Sequence, residues 1–384
     1  ARTGTTPFMA AGEEKTVSAM PAGYGYRTAP YDQWVLNYMI HNQTAATDTV
    51  FITYELEFVP LASPEGATLK PVDPLWFDVV GGFYPVYDPQ RTGEIDAVTG
   101  RPIHGESASF TSSLNYEMVW MAGHVHPGGL RDEVRVASCG ETPIFNSEAV
   151  LNARPGVTEA QSFGSWDYLM TATPPDWRFV WKRGDRLSLR AVYDTTHPWY
   201  EAMGIVFGWG RRLTDAEAAA MTAARPNPCA TTPGVVTRDM PPQMPVFGGD
   251  GEPLWDPTAL PASGPPVTEI DIAAFTYQPG NVGEPPAVVK AGQPVVFRNL
   301  DAAAGIYHTV TECDGPCNLS TGQSYPKAAW GFESRQLGYG PPEITPAAQR
   351  STWTFTPPAS LANQVISYYC RVHPPMRGSL KVIP

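Results

Sequence analysis

Apolar and polar residues alternate with a period of two along much of the chain. Val50, Ile52, Tyr54, Leu56 and Phe58 alternate with Phe51, Thr53, Glu55 and Glu57, which predicts a strand with one buried face. The run from Phe179 to Tyr193 reads as strand, tight turn and strand, with Leu187, Leu189 and Ala191 on one face and Arg183-Gly184-Asp185 in the turn. Gly204 to Trp209 is a further apolar strand. Helical spacing stands out in one place, from about Asp215 to Ala224, where Thr214 and Glu217 have the spacing of a capping box and Pro226 and Pro228 follow. Beyond residue 266 the two-residue period returns. Val288 to Arg298 forms a strand pair about a Lys290-Ala291-Gly292 turn. Ile306, His308 and Val310 alternate on one strand, Trp353 and Phe355 on another, and Ile366, Tyr368 and Cys370 on a third. Short strands at even spacing predict β-sandwiches.

Composition sharpens this picture. The 384 residues include 41 prolines and 35 glycines. Proline at that density excludes a mainly helical protein, and 42% hydrophobic content excludes wholesale disorder. Residues 241–266 hold eight prolines and four glycines and read as a stiff strap. The predicted organisation is an all-β chain, with a β-structured region over 1–238, a linker over 239–266 and a sandwich over 267–384. The formal charge of −12, with no basic cluster, argues against nucleic acid or anionic lipid as a partner. No apolar run approaches the roughly 18–20 residues that span a bilayer. The start, Ala1-Arg2-Thr3-Gly4, has no secretory leader pattern, so an exported protein would be represented here in mature form.

The candidate chemistry is concentrated near the C-terminus. Cys370-Arg371-Val372-His373-Pro374-Pro375-Met376 places a thiol, an imidazole and a thioether within seven residues. His308 lies on a strand 62 residues earlier and supplies a second imidazole. One thiolate, two imidazoles and a weak thioether suit copper. The alternatives are a zinc site or an inert loop, but zinc prefers other ligand sets. With Cys370 assigned to a metal, four cysteines remain. Cys313 and Cys317 flank a turn and can close a small ring, which leaves Cys139 to pair with Cys229. Four buried free thiols are the alternative.

On His308-Thr309-Val310 and on Tyr368 through Gly378, residues 267–384 resemble the cupredoxins of the short-loop type typified by amicyanin and plastocyanin. The resemblance implies a type 1 copper centre that passes single electrons, with a redox partner protein or a small-molecule donor or acceptor. A long insertion, about Asn318–Gln349, departs from the small carriers.

A second motif is Gly123-His124-Val125-His126-Pro127-Gly128-Gly129. On a strand, His124 and His126 share a face and can chelate one ion. With Met203, 77 residues on, they resemble the oxygen-reacting copper site of the peptidylglycine and dopamine monooxygenases. The surrounding run also resembles the Nod19-type domain of plants. The monooxygenase resemblance implies a jelly-roll-like sandwich over 1–238 and a type 2 copper. The departure is the absence of a His-His pair for the second copper of those enzymes. His41 and His197 are candidate further ligands, His197 because six residues of regular strand would bring it to the face of Met203. A structural, hydrogen-bonded role is the alternative for both. His104 lies in a Gly/Pro-rich stretch and reads as an exposed bystander.

The expected function is an exported copper redox protein, secreted, periplasmic or at the cell surface, in which type 1 copper serves a mononuclear type 2 site that reacts with oxygen species or a small substrate. The alternatives are an electron carrier whose N-terminal region is a docking scaffold, and a copper-buffering protein.

Overall fold

In a computed structural model, the structure describes residues 7–10, 17–36, 38, 47, 49–82, 85–151, 168–224, 228–237, 254–317, 326–340, 350–373 and 375–384. The chain is almost entirely β, and its described residues divide into two compact units, with 7–38, 49–151 and 168–237 in one and 47 and those from 254 onward in the other.

The N-terminal unit is built from two sheets. The first orders Tyr24–Tyr26, Lys70–Asp78, Gly204–Leu213, Asn115–Val125 and Phe179–Trp181. The second orders Thr232–Pro233, Pro143–Leu151, Gly129–Val136, Arg186–Asp194, Pro102–Thr111 and Glu94–Ile95, with Tyr168–Met170 added against Pro143–Leu151. Alternation sets which side chains lie between the sheets. A Cβ on Gly204 would strike Ala191 of the facing sheet, and the Gly123 N–H donates to Ser147 Oγ at 2.9 Å. Tyr193, fully buried, donates its hydroxyl to the Met203 carbonyl at 2.6 Å and accepts the His126 N–H at 2.6 Å.

The helix forms where its cap predicts it, at Asp215–Ala223. Thr214 Oγ1 accepts the Glu217 N–H at 3.2 Å, while Glu217 accepts the Thr214 N–H at 2.8 Å. No helix among the described residues is long and apolar enough to cross a membrane.

In the C-terminal unit, one sheet orders Thr276–Gln278, Glu269–Ala273, Val295–Asn299 and Thr352–Phe355. The other orders Ala287–Lys290, Arg377–Ile383, Val365–Tyr369, Thr311–Cys313 and Ala328–Glu333. Ile270, Ile272, Tyr277, Phe297, Ile366, Tyr368, Leu380 and Val382 fill the core between them.

Two expectations are corrected. Residues 50–58 form no strand, and side chains of both parities are exposed, Phe51 at 87% and Phe58 at 77%. Alternation fits a pleated backbone but does not supply a neighbouring edge, and among the described residues nothing pairs with this one. The strands at 288–298 do not pair with each other, and the strand, turn and strand expected at 179–193 form but do not pair either. Phe179–Trp181 and Arg186–Asp194 lie in different sheets, as do Ala287–Lys290 and Val295–Asn299. Their turns, through Gly184 (φ +82°) and Gly292 (φ +73°), carry the chain from one layer to the other. Within the stretch Asn318–Gln349, residues Ala328–Glu333 form a strand of the second sheet.

Both expected disulfides are present. Cys139–Cys229 spans 90 residues with a Cα separation of 5.3 Å, and Cys313–Cys317 closes a ring with a separation of 5.4 Å. Cys370 is the remaining thiol and is buried.

Candidate metal centre

His308, Cys370 and His373 converge at one end of the C-terminal sandwich. Cys370 directly follows strand Val365–Tyr369, and the turn after it returns through His373 to strand Arg377–Ile383. The Cys370 N–H donates to the Met376 carbonyl at 3.1 Å, and the Met376 N–H donates to the His373 carbonyl at 2.8 Å. These bonds close the loop and tuck Met376, 3% exposed, beneath it. His308 precedes strand Thr311–Cys313 and is held by a two-way bridge to Leu337, at 2.9 and 2.7 Å.

The donor atoms make a small triangle. Cys370 Sγ lies 3.8 Å from His308 Nδ1 and 3.6 Å from His373 Nδ1, and the two nitrogens are 3.1 Å apart. A point equidistant from three atoms so spaced lies about 2.0 Å from each, the length of a metal–imidazole bond and slightly short of a metal–thiolate bond. One ion therefore fits. Among the described residues, no other group of three His, Cys, Asp or Glu side chains converges this closely.

Local electrostatics prepare the donors. Burial pushes the Cys370 thiol up, and the N–H groups of Thr309 and His373 draw it down. Thr309 donates its N–H to the sulfur at 3.3 Å. Burial depresses His373 to about 4, so its ring is neutral and keeps a lone pair at ordinary pH. His308 Nε2 faces Asp301 Oδ2 at 3.0 Å. A carboxylate accepts, so Nε2 carries the proton and Nδ1 presents its lone pair to the triangle.

The surrounding bonds stiffen this arrangement. The Arg371 N–H donates to Thr309 Oγ1 at 2.9 Å, and Tyr277 donates its hydroxyl to the Thr309 carbonyl at 2.6 Å. The Phe275 ring packs perpendicular to both imidazole rings, with its centroid 4.8 Å from that of His373 and 5.5 Å from that of His308.

Three contributors here escaped the sequence reading. Asp301, Phe275 and Leu337 come from separate elements, and no periodicity links any of them to His308. The short interval from Asp301 to His308 was the one available hint.

The second constellation is placed in part. His124 lies on strand Asn115–Val125 opposite Ile205, and His126 is one residue past the strand end. Their ring centroids are 5.3 Å apart at an interplanar angle of 87°. Tyr193 binds the backbones of both His126 and Met203, which brings these two residues side by side; both are nearly buried. Asp78, opposite Ile205 on the next strand, is raised to about 6 by burial, although the His124 charge lowers it. His197 does not lie on a regular strand with Met203. The backbone between strands Arg186–Asp194 and Gly204–Leu213 is irregular, so the spacing argument for His197 fails. His41 lies outside the described residues. His104 is no exposed loop residue; it sits on strand Pro102–Thr111 with its Nε2 3.2 Å from Glu106 and its ring against Tyr87.

No protein-family model and no curated protein matches the chain. Among solved structures, an oxidised amicyanin variant is 19% identical, with 35% of this chain matched to 94% of that one at a TM-score of 0.19. A reduced amicyanin variant is 21% identical, with the same coverage and TM-score. A copper-containing nitrite reductase from Thermus scotoductus SA-01 is 14% identical, with 74% of this chain matched to 58% of that one, also at a TM-score of 0.19. At identities and TM-scores this low the likenesses carry no argument about the chain, and the metal centre stands on its own geometry.

Proposed function

We propose that the chain is an exported copper redox protein. In this reading its C-terminal unit is a cupredoxin whose type 1 copper is held by His308, Cys370 and His373, with Met376 as the weak fourth ligand. The observation that carries the proposal is the triangle of one thiol and two imidazoles, with edges of 3.1 to 3.8 Å, around a buried sulfur. Copper bound there supplies one-electron oxidation and reduction. The residues of the chain supply rigidity and exclusion of water. The Thr309 N–H holds the sulfur, Asp301 fixes the His308 tautomer, and Phe275 packs against both rings. A donor set fixed in this way moves little when an electron arrives or leaves. The electron comes from a redox partner protein or a small-molecule donor.

In the N-terminal unit, His124, His126 and Met203 are proposed to take a second, type 2 copper that meets an oxygen species or a small substrate and draws its electrons from the first site. The adjacent histidine rings and the shared Tyr193 hydroxyl support this reading. Two disulfides support export. A second reading, an electron carrier with a scaffold N-terminal unit, is favoured by one fact: among the described residues the C-terminal trio alone converges within metal-binding distance.

Copper counting separates the two. The full chain and its His126→Ala variant are loaded and dialysed, and bound metal is measured. Two coppers falling to one on substitution supports the two-site protein. A single copper in both supports the carrier.

A further inference from the structure

Beside the ligands lies a strained surface turn. Strands Glu269–Ala273 and Thr276–Gln278 pair through Ala273 and Thr276, leaving a two-residue loop of Ala274 and Phe275. Both are left-handed, with φ of 50° and 60°. Such turns ordinarily use Asn-Gly or Gly-Gly, because a Cβ disfavours this conformation. Here two side-chain-bearing residues adopt it in succession, and the compensation is visible. The Ala274 N–H donates to Asp301 Oδ1 at 3.0 Å and the Phe275 N–H to Asp301 Oδ2 at 3.2 Å. The same Oδ2 accepts the His308 Nε2–H at 3.0 Å. One carboxylate therefore takes three N–H donors, two from the turn and one from a ligand ring. The turn in turn sets the ring of Phe275, 46% exposed, perpendicular to those of His308 and His373.

We infer that Asp301 is a positioning residue that clamps the Ala274–Phe275 turn and the His308 ring together, so that the aromatic cover and the metal ligand are fixed as one unit. The inference rests on the metal-site reading above. It also explains why the carboxylate is specific. An asparagine has one accepting oxygen, and its NH2 group would face donors that Asp301 Oδ2 now satisfies.

Three readouts on the full chain test it. In the metal-free wild type, nitrogen chemical shifts report the His308 tautomer; protonated Nε2 is expected, and protonated Nδ1 overturns the clamp. In Asp301→Asn, copper competition is expected to show about 10- to 100-fold weaker binding, the usual effect of losing a partner behind a ligand. In the same metal-free variant, amide hydrogen exchange at Ala274 and Phe275 is expected to quicken at least about tenfold. Unchanged exchange with weakened copper binding would mean that Asp301 serves His308 alone, which overturns the coupling. Should Asp301→Asn fail to fold, Ala274→Gly relieves the turn while Asp301 remains. Its Phe275 amide is then expected to stay protected, and loss of protection contradicts the clamp. If the wild type binds no copper, the proposed function fails, while the tautomer and exchange results still decide this inference.

Discussion

Cys370 is fully buried, yet the backbone N–H groups of Thr309 and His373 point to its sulfur and favour its thiolate. A buried free thiol in an apolar core behaves as a small hydrophobe, whereas this one faces two imidazoles. His373 carries a pH consequence. Its folded value, about 4, lies below the ordinary 6.5, so the folded chain binds fewer protons here than the unfolded chain. The stability it contributes is complete above 6.5 and is lost as pH falls through about 4. Thermal melts of the metal-free chain are expected to show this decline, and His373→Leu is expected to flatten it. The meeting of Cys370 and His373 was legible because both stand in one seven-residue stretch, and that of His308 because it alternates with apolar residues upstream. Asp301 and Phe275 were not, because their relation to His308 depends on how a turn of one sheet meets a loop of the other.

At the scale of elements, strand Gly129–Val136 is tied to the edge of its sheet by a buried ion pair. Arg131 binds Asp96 through two nitrogens, at 2.8 and 3.1 Å, and also binds Glu133 at 2.8 Å. This holds the Asp96 carboxyl well below its ordinary value of 3.8, so its contribution to stability is present above that pH and is lost as pH falls below it. Arg131→Met strands a buried carboxylate and is expected to cost about 3–5 kcal/mol in denaturant unfolding. Removal of the helix cap by Thr214→Ala is expected to cost about 1 kcal/mol in the same measurement. Elements with local causes were readable: the capping box, the Leu187-Leu189-Ala191 face and the Trp353-Phe355 alternation all correspond to structure. Pairing partners were not. Alternation alone cannot tell a hairpin from a turn that changes sheets, and it marked residues 50–58 as a strand without supplying a neighbour to complete it.

For the whole molecule, the two disulfides have different reach. Cys139–Cys229 closes a loop of about ninety residues within the N-terminal unit, whereas Cys313–Cys317 closes a short ring. Chain-entropy arguments give the long loop about 4–5 kcal/mol and the short one about 2 kcal/mol. Paired serine substitutions are expected to lower the unfolding midpoint of the N-terminal unit far more than that of the C-terminal unit. The central claim, a type 1 copper held by Cys370, is tested most directly by the visible absorption and electron paramagnetic resonance of the Cu(II)-loaded full chain beside its Cys370→Ala variant. An intense thiolate-to-copper band with narrow hyperfine splitting, both lost in the variant, is the predicted result. A wild-type chain that binds copper without that band, or a variant that keeps it, would contradict the account.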